Sequence, residues 1–407
     1  MAFYTGVFNT NADNPVELNK RSFASHILRL FPNGSAPIFA LTSQTGRSLA
    51  KASAHGYFSK TLLFSSVVIN QASSPAGYGV SATSLVVTDT TGILPKMVLH
   101  NPTTRENLRV TAVPDGVTLT VTRAFGRVAA GTIANGATLV VIGNAFEEGS
   151  ARPTERGLTM IHVPNYTQIF RDAWAVTDTA RASYVEMGVG NIAESRRDCS
   201  LLHSVNMESA IIFGQPKMDT TGSQPLHATQ GIIDAVEQYA PNNTNTAATT
   251  TSFSQFVTLV EPAFQYSADI GDPKSRTLFG GSTAIKVIND LARKSGQVFI
   301  QDGQTTFGLH FTKFVFYKGT IYMIEHPILN GIPSMAGLAM IIDMPALKLA
   351  YMEGRDTRAE DYGGAGRNNA NGVDADGGSL TTEFAVELIN PQGCAIIYSL
   401  QTGVADA

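Results

Sequence analysis

Charge is scarce in this 407-residue chain: Asp, Glu, Lys and Arg together make up 15% of it, against about 25% in an average soluble domain. So few charges defend a surface poorly against association. Either extensive interfaces cover it, or a β-rich exterior of Thr, Ser and Asn takes their place. The net charge is −4, which excludes a protein that holds nucleic acid mainly by counterion release, since that needs clustered Lys and Arg. The two cysteines, Cys199 and Cys394, make neither a disulfide framework nor a metal site. Their apolar neighbours suit buried thiols in a reducing compartment. No apolar run reaches the length of a membrane span, and no basic segment followed by an apolar core opens the chain. The expectation is a chain made in the cytoplasm, without a membrane partner.

Catalytic motifs are missing too. The eight histidines are scattered, with no i, i+4 pair and no Cys or Glu at ligand spacing. There is no G-x-S-x-G elbow, Walker A loop or G-x-G-x-x-G, and Gly188-Val189-Gly190 is only a fragment of the last. Asp374-Ala375-Asp376-Gly377 has the start of a calcium loop but not its later ligands. His326, between Glu325 and Pro327, reads as a structural histidine at a strand end. A Lys–Asn isopeptide bond depends on spatial neighbours and stays open. No residue can be named as nucleophile or base, no cofactor site is visible, and the chain does not read as an enzyme.

What is present is a run of short β-strands at about 84–148. Leu108-Arg109-Val110-Thr111-Ala112 and Val117-Thr118-Leu119-Thr120-Val121-Thr122 alternate with period two, as a strand with one buried face does. Pro114-Asp115-Gly116 between them supplies a tight turn. Residues 62–69 and 138–143 read as the strands entering and leaving this module.

Ahead of it, residues 1–56 form an irregular leader broken by Asn, Gly and Pro, with a short helix over 15–30. Behind it, 150–216 reads as a return to helix. Its clearest element starts at Asn191 as N-cap, with Glu194 three residues on. Cys199, Leu202, Val205 and Ile212 form its apolar side, Glu208 lies on the polar side, and Gly214 and Pro216 end it. A second helix spans 229–239, and 241–252 reads as a linker. An α/β segment follows, with a helix capped by Ser282, strands at 297–301, 311–317, 320–325 and 339–344, and a hairpin at Lys318-Gly319. Residues 363–378 are rich in Gly, Asn and Asp and read as flexible in isolation. Strands at 381–388 and 394–400 close the chain as a pair.

Charge is unevenly placed. Residues 17–60 hold Lys20, Arg21, Arg29, Arg47, Lys51 and Lys60 against Glu17 alone, whereas 353–387 hold eight acids and three arginines. This is either a fluctuation among solvated segments or a polarised molecule with one face toward something anionic.

The order of parts resembles the major capsid proteins of tailed bacteriophages, of the Hong Kong 97 fold and its SU-ten-like branch. The residues that carry the resemblance are 106–123, Asn144-Ala-Phe-Glu-Glu-Gly149, Asn165-Tyr-Thr-Gln-Ile-Phe-Arg-Asp-Ala-Trp-Ala-Val-Thr-Asp-Thr179, Thr306-Phe307-Gly308 and Asn390-Pro391. It implies an α+β capsid fold with an N-terminal arm (1–56) and an enlarged, β-rich extended loop (57–150). A peripheral domain with a long spine helix (151–216) and an axial α/β domain (217–338) would follow, then a return to the periphery (339–407). It implies self-assembly through pentamers and hexamers into an icosahedral shell around double-stranded DNA. The partners would be a separate scaffolding protein, a portal, a decoration protein where one exists, and the packaged DNA, held non-specifically. Arg105, Glu106, Arg109, Asp115, Arg123, Trp174 and Arg197 are the expected assembly contacts. Lys20, Arg21, Arg29, Arg47 and Lys51 are the expected DNA-facing residues, on an arm inside a wall that is otherwise slightly acidic. Another phage structural protein, such as a tail component or a β-rich binding module, is the alternative.

Overall fold

In the computed structural model, residues 36–404 are described, except 44, 61–65, 72–76, 156, 158–159, 184–190, 267–273, 296–299, 302–304, 307–308, 311 and 363–374. The chain forms two compact units, one of residues 58–162 and one of all the rest. The strands Ala54–Ser59 and Ile161–Tyr166, which pair with each other, carry the chain out and back.

The smaller unit is a six-stranded antiparallel sheet. Its order is Ser66–Val68, Thr138–Asn144, Met97–His100, Asn107–Ala112, Thr118–Thr122, Ser84–Val86. Its two outer strands meet through an Ile69–Val87 bridge, with Asn70 N–H donating to Val86 O and Thr88 N–H to Val68 O, both at 2.9 Å. The sheet is therefore closed into a small barrel. Two register breaks, at Val98/Leu99 and Val110/Ala112, supply the curvature. Alternation fills the interior with Ile69, Leu85, Leu99, Leu108, Val110, Leu119, Ile133 and Leu139. Closure removes the edges on which another strand could template. Gly77 is obligatory here: its φ is +82°, and a Cβ would lie 2.0 Å from Ile133 O.

Besides short two-stranded pairs, the described residues of the larger unit form two main sheets. In the first, the 14-residue strand Ala375–Leu388 pairs antiparallel with Gln168–Thr177 on one side. On the other it pairs with Arg358–Tyr362 and then Leu347–Met352, and Arg47–Ala50 joins the latter in parallel. The second sheet has seven strands. Its order is Thr244–Thr246, Ala395–Tyr398, Ala339–Ile342, Ser275–Gly280, Gly319–Glu325, Thr312–Phe316, Ile300–Gln301. The helices Phe253–Val260 and Ser282–Ser295 bury Phe256, Val260, Val287, Ile288 and Leu291 against it. The first of these helices is fixed by a capping box between Ser252 and Gln255. The long helix Asn191–Phe213, the short helix Pro37–Thr42 and the helix Ile232–Tyr239 share a second core with Phe170, Phe384, Met340 and Ile396.

Several expectations change. Residues 161–177 are two strands, Ile161–Tyr166 and Gln168–Thr177, rather than helix, and helix resumes only at Asp178–Ala182 and Asn191–Phe213. Asn191 is the first residue of the long helix, not its cap. The buried stripe of that helix is Cys199, His203, Met207, Glu208, Ile211 and Ile212, while Leu202 is 63% exposed. The stretch read as a linker contributes Thr244–Thr246 to the seven-stranded sheet. The two closing strands do not pair: they lie in different sheets. Ala375–Gly378, read as part of a flexible run or a calcium loop, begins the longest strand. The reason is local fit. Gly378 lies opposite Trp174, where a Cβ would stand 2.5 Å from Glu360 O and 2.9 Å from the indole Nε1. The helix expected over 15–30 lies outside the described residues. Both cysteines are buried free thiols, and burial above all pushes Cys394 up to about 12.

Candidate assembly surfaces and the nodes behind them

Five expected contact residues lie in the barrel, and two of them are committed to its interior. Glu106 just precedes one strand and Arg123 just follows the next. Arg123 Nε donates to Glu106 Oε1 and Nη2 to Oε2, each at 2.8 Å, a two-pronged charged pair. The carboxylate also accepts the Ala124 and Gly131 N–H groups at 3.0 Å. Arg123 Nη1 donates to Gly79 O at 3.0 Å and Ala82 O at 3.2 Å, and Nη2 to Gly131 O. Glu106 is fully buried and Arg123 nearly so. Burial by itself would raise the Glu106 pKa. Arg123 and the two N–H donors outweigh it and hold the carboxyl below its ordinary value. This hub pins the two connections 77–82 and 123–131 to the barrel wall.

The other three are outside. Asp115 is exposed and accepts from Val117 N–H at 2.9 Å and Thr118 N–H at 2.6 Å, closing its own turn. Arg105 is exposed at φ +61°. Arg109 lies 5.7 Å over the Phe125 ring and shares Glu147 with Lys96. The bonds from Lys96 and then Arg109 bring Glu147 down to about 2. Apolar side chains stand in the open on this unit, among them Phe58 (69%), Ile142 (56%) and Phe146.

In the larger unit Trp174 is buried and Arg197 is exposed on the long helix. Of the expected DNA-facing residues, Lys51 is exposed. Arg47 is ion-paired with Asp356 and stacked 5.2 Å over Tyr351. Lys20, Arg21 and Arg29 lie outside the described residues.

Beneath the long helix, Asp172 Oδ2 meets His203 Nδ1 at 2.6 Å, and His203 Nε2 meets Thr382 Oγ1 at 2.8 Å. The order acid, imidazole, hydroxyl is that of a nucleophile relay. Here it is a strut. Thr382 is fully buried and its hydroxyl donates to Thr357 Oγ1 at 3.0 Å. The group ties helix to sheet, with its imidazole and hydroxyl buried and Asp172 half-buried at its edge. Among the described residues no three His, Cys, Asp or Glu side chains are grouped to hold a metal, and no helix is long and apolar enough to cross a membrane.

His203 and Glu208 were missed by sequence reasoning. The signal was present: His203 falls between Cys199 and Met207 at spacings of four, and Glu208 lies three residues before Ile211 and four before Ile212. A polar group on an apolar stripe must find a partner.

A family model described as SU10 major capsid protein matches residues 4–401. A curated major capsid protein of Pseudomonas phage PaMx41 is 48% identical over 412 residues, covering 98% of this chain and 97% of that protein. Among solved structures, the capsid of cyanophage P-SCSP1u aligns at 8% identity and a TM-score of 0.49, over 96% of this chain and 94% of that one. A protein of Mycobacterium phage Bobi aligns at 11% identity and a TM-score of 0.45, over 98% and 99%. A near full-length family match and a relative this similar along its whole length leave one assignment: the chain, an α+β protein, belongs to the SU10 major capsid protein family.

Proposed function

We propose that this capsid protein closes an icosahedral shell of pentamers and hexamers around double-stranded DNA, with the inserted barrel as its reach onto a neighbouring copy. The observation that carries the reading is the barrel itself. Among the described residues it is a compact unit with its own core and a sheet closed on itself, leaving and rejoining the body through paired strands. Such a unit contacts a neighbour through side chains, and its exposed Phe58, Ile142 and Phe146 are the side chains on offer.

In this reading residues 1–56 are the arm, 57–150 the extended loop, 151–216 the peripheral domain, 217–338 the axial domain and 339–407 the return. Exposed Arg105, Asp115 and Arg197 meet neighbours directly. Glu106, Arg123 and Trp174 act from inside by holding the contacting surfaces in shape. Lys51 and the arm basics face the DNA. A scaffolding protein, a portal and, where present, a decoration protein are the other partners, and synthesis is in the host cytoplasm. No single contact need be strong. About 4 kcal/mol per pair is only millimolar, and several such contacts per subunit give a closed lattice through effective concentration.

The test is sedimentation with negative-stain microscopy on the full-length protein, alone and with the co-expressed scaffolding candidate. Closed particles or five- and six-membered rings are expected. A stable monomer or an elongated tube under both conditions would overturn the shell reading.

A further inference from the structure

Glu208 sits at the centre of a three-way junction. Its Oε1 accepts the Ile38 N–H and its Oε2 the Phe39 N–H, each at 2.8 Å. Oε1 also meets His326 Nε2 at 2.8 Å. Both side chains are fully buried. His326 Nδ1 is buried with no partner among the described residues, so Glu208 is the imidazole's one polar tie and Nε2 is the nitrogen that donates. Residues 38–39, 208 and 326 belong to the N-terminal helix, the long helix and the segment after a strand of the seven-stranded sheet.

Packing alone gives no reason for a carboxylate here. Met207, Ile211 and Ile212 are its neighbours on the buried stripe, and a methionine would fill the space without the cost of burying a charge. What the carboxylate adds is a grip on main chain. The helix Pro37–Thr42 begins with a proline, which has no N–H, and its cap residue Ala36 offers no side-chain bond. Ile38 and Phe39 are the first donors of that helix, and a residue 170 positions away supplies their acceptor. The grip therefore fixes a place on the body irrespective of the side chains around Pro37.

We propose that Glu208, oriented by His326, is a positioning residue: it sets the point from which the N-terminal arm departs toward a second copy of the chain. The proposal rests on the reading of residues 1–56 as an arm, and two separate readouts keep the two apart. In unassembled full-length subunits, trypsin cleavage after Arg47 reports release of the Pro37 helix. Particle yield reports whether the arm's departure point matters to assembly.

Glu208→Gln keeps the shape but turns an amide NH2 toward N–H donors, and cleavage after Arg47 should rise about tenfold. Glu208→Met restores apolar packing without the grip. It should melt below the wild-type temperature, because His326 Nε2–H and the Ile38 and Phe39 N–H groups lose their acceptor, keep the fast cleavage and form few closed particles. Glu208→Met with wild-type protection and wild-type particles would overturn the proposal, because core filling would then explain the residue. Fast cleavage with normal particles would overturn the arm reading and leave the grip standing. Phe39→Pro removes one donor where the first helical turn tolerates proline. It carries the same two readouts if the Glu208 variants fail to fold, and wild-type protection in it would equally sink the idea.

Discussion

The barrel and the body are stabilised over very different stretches of sequence. In the barrel, the Glu106–Arg123 hub joins residues 8 to 44 positions apart. In the body, the polar ties reach much further. His326 and Glu208 are 118 apart, Ile38 and Glu208 170, Asn165 and Val386 221, and His55 and Glu387 332. Closing a loop costs entropy that grows with its length. The barrel can therefore form as soon as its own hundred or so residues exist, whereas the body needs both ends of the chain before its first sheet is complete. The difference suits a shell protein. An inserted unit with its own core can keep its surface whatever the rest of the chain does, as the contact role proposed for it requires.

The largest break in this comparison is excision of residues 60–160, rejoined by a short Gly-rich turn between the two paired strands. The body should keep one cooperative thermal transition by circular dichroism, and closed particles should vanish from sedimentation. Loss of the body's transition would mean that the two units depend on each other.

Next is Glu106→Ala, which leaves Arg123 buried without its charge partner and should cost the barrel about 3–5 kcal/mol. Amide exchange measured by mass spectrometry should show lost protection across 66–144 and little change in the seven-stranded sheet. The same residue gives the barrel a pH signature. Its folded pKa lies below the unfolded one. The stability it contributes is therefore fully present above the ordinary carboxylate range of about 4.3, and is lost as pH falls through the folded value. The wild-type barrel should weaken in that acidic window, and Glu106→Gln should abolish this component of the pH slope.

The smallest effect sharpens the comparison on the body side. Leu202→Ala, at an exposed position of the long helix, should shift stability by no more than about 0.5 kcal/mol in urea melts. A loss of 2 kcal/mol or more would put Leu202 back in the core.

Much of this arrangement was legible before any coordinates. The alternation in 108–112 and 117–122 and the Pro114-Asp115-Gly116 turn gave the hairpin at the centre of the barrel. Asn191–Phe213 read as one long helix from its period, and 282–295 likewise. The residues that failed did so for one reason. Val205 and Leu202 were placed on the inner face because apolar side chains were counted and polar ones set outside, but His203 and Glu208 are inside with their partners. The strand at 168–177 was missed because alternating Ile, Phe, Ala, Trp and Val is ambiguous with helix over ten residues. Its partner at 375–388 carries Gly377 and Gly378 near its start, which look like a break and are in fact room for Trp174.

The sequence by itself determined the class of elements, the position of the β-rich insertion, the scarcity of charge and the family, since each depends on residue types within a short window or along the whole string. Only the tertiary structure decided that the insertion closes into a barrel through Ile69 and Val87, that Glu106 and Arg123 face inward, and that Glu208 grips residues 38 and 39. Those outcomes depend on which distant groups share one buried volume. Burial makes a partner obligatory for every polar atom, but it leaves the choice of partner to the fold.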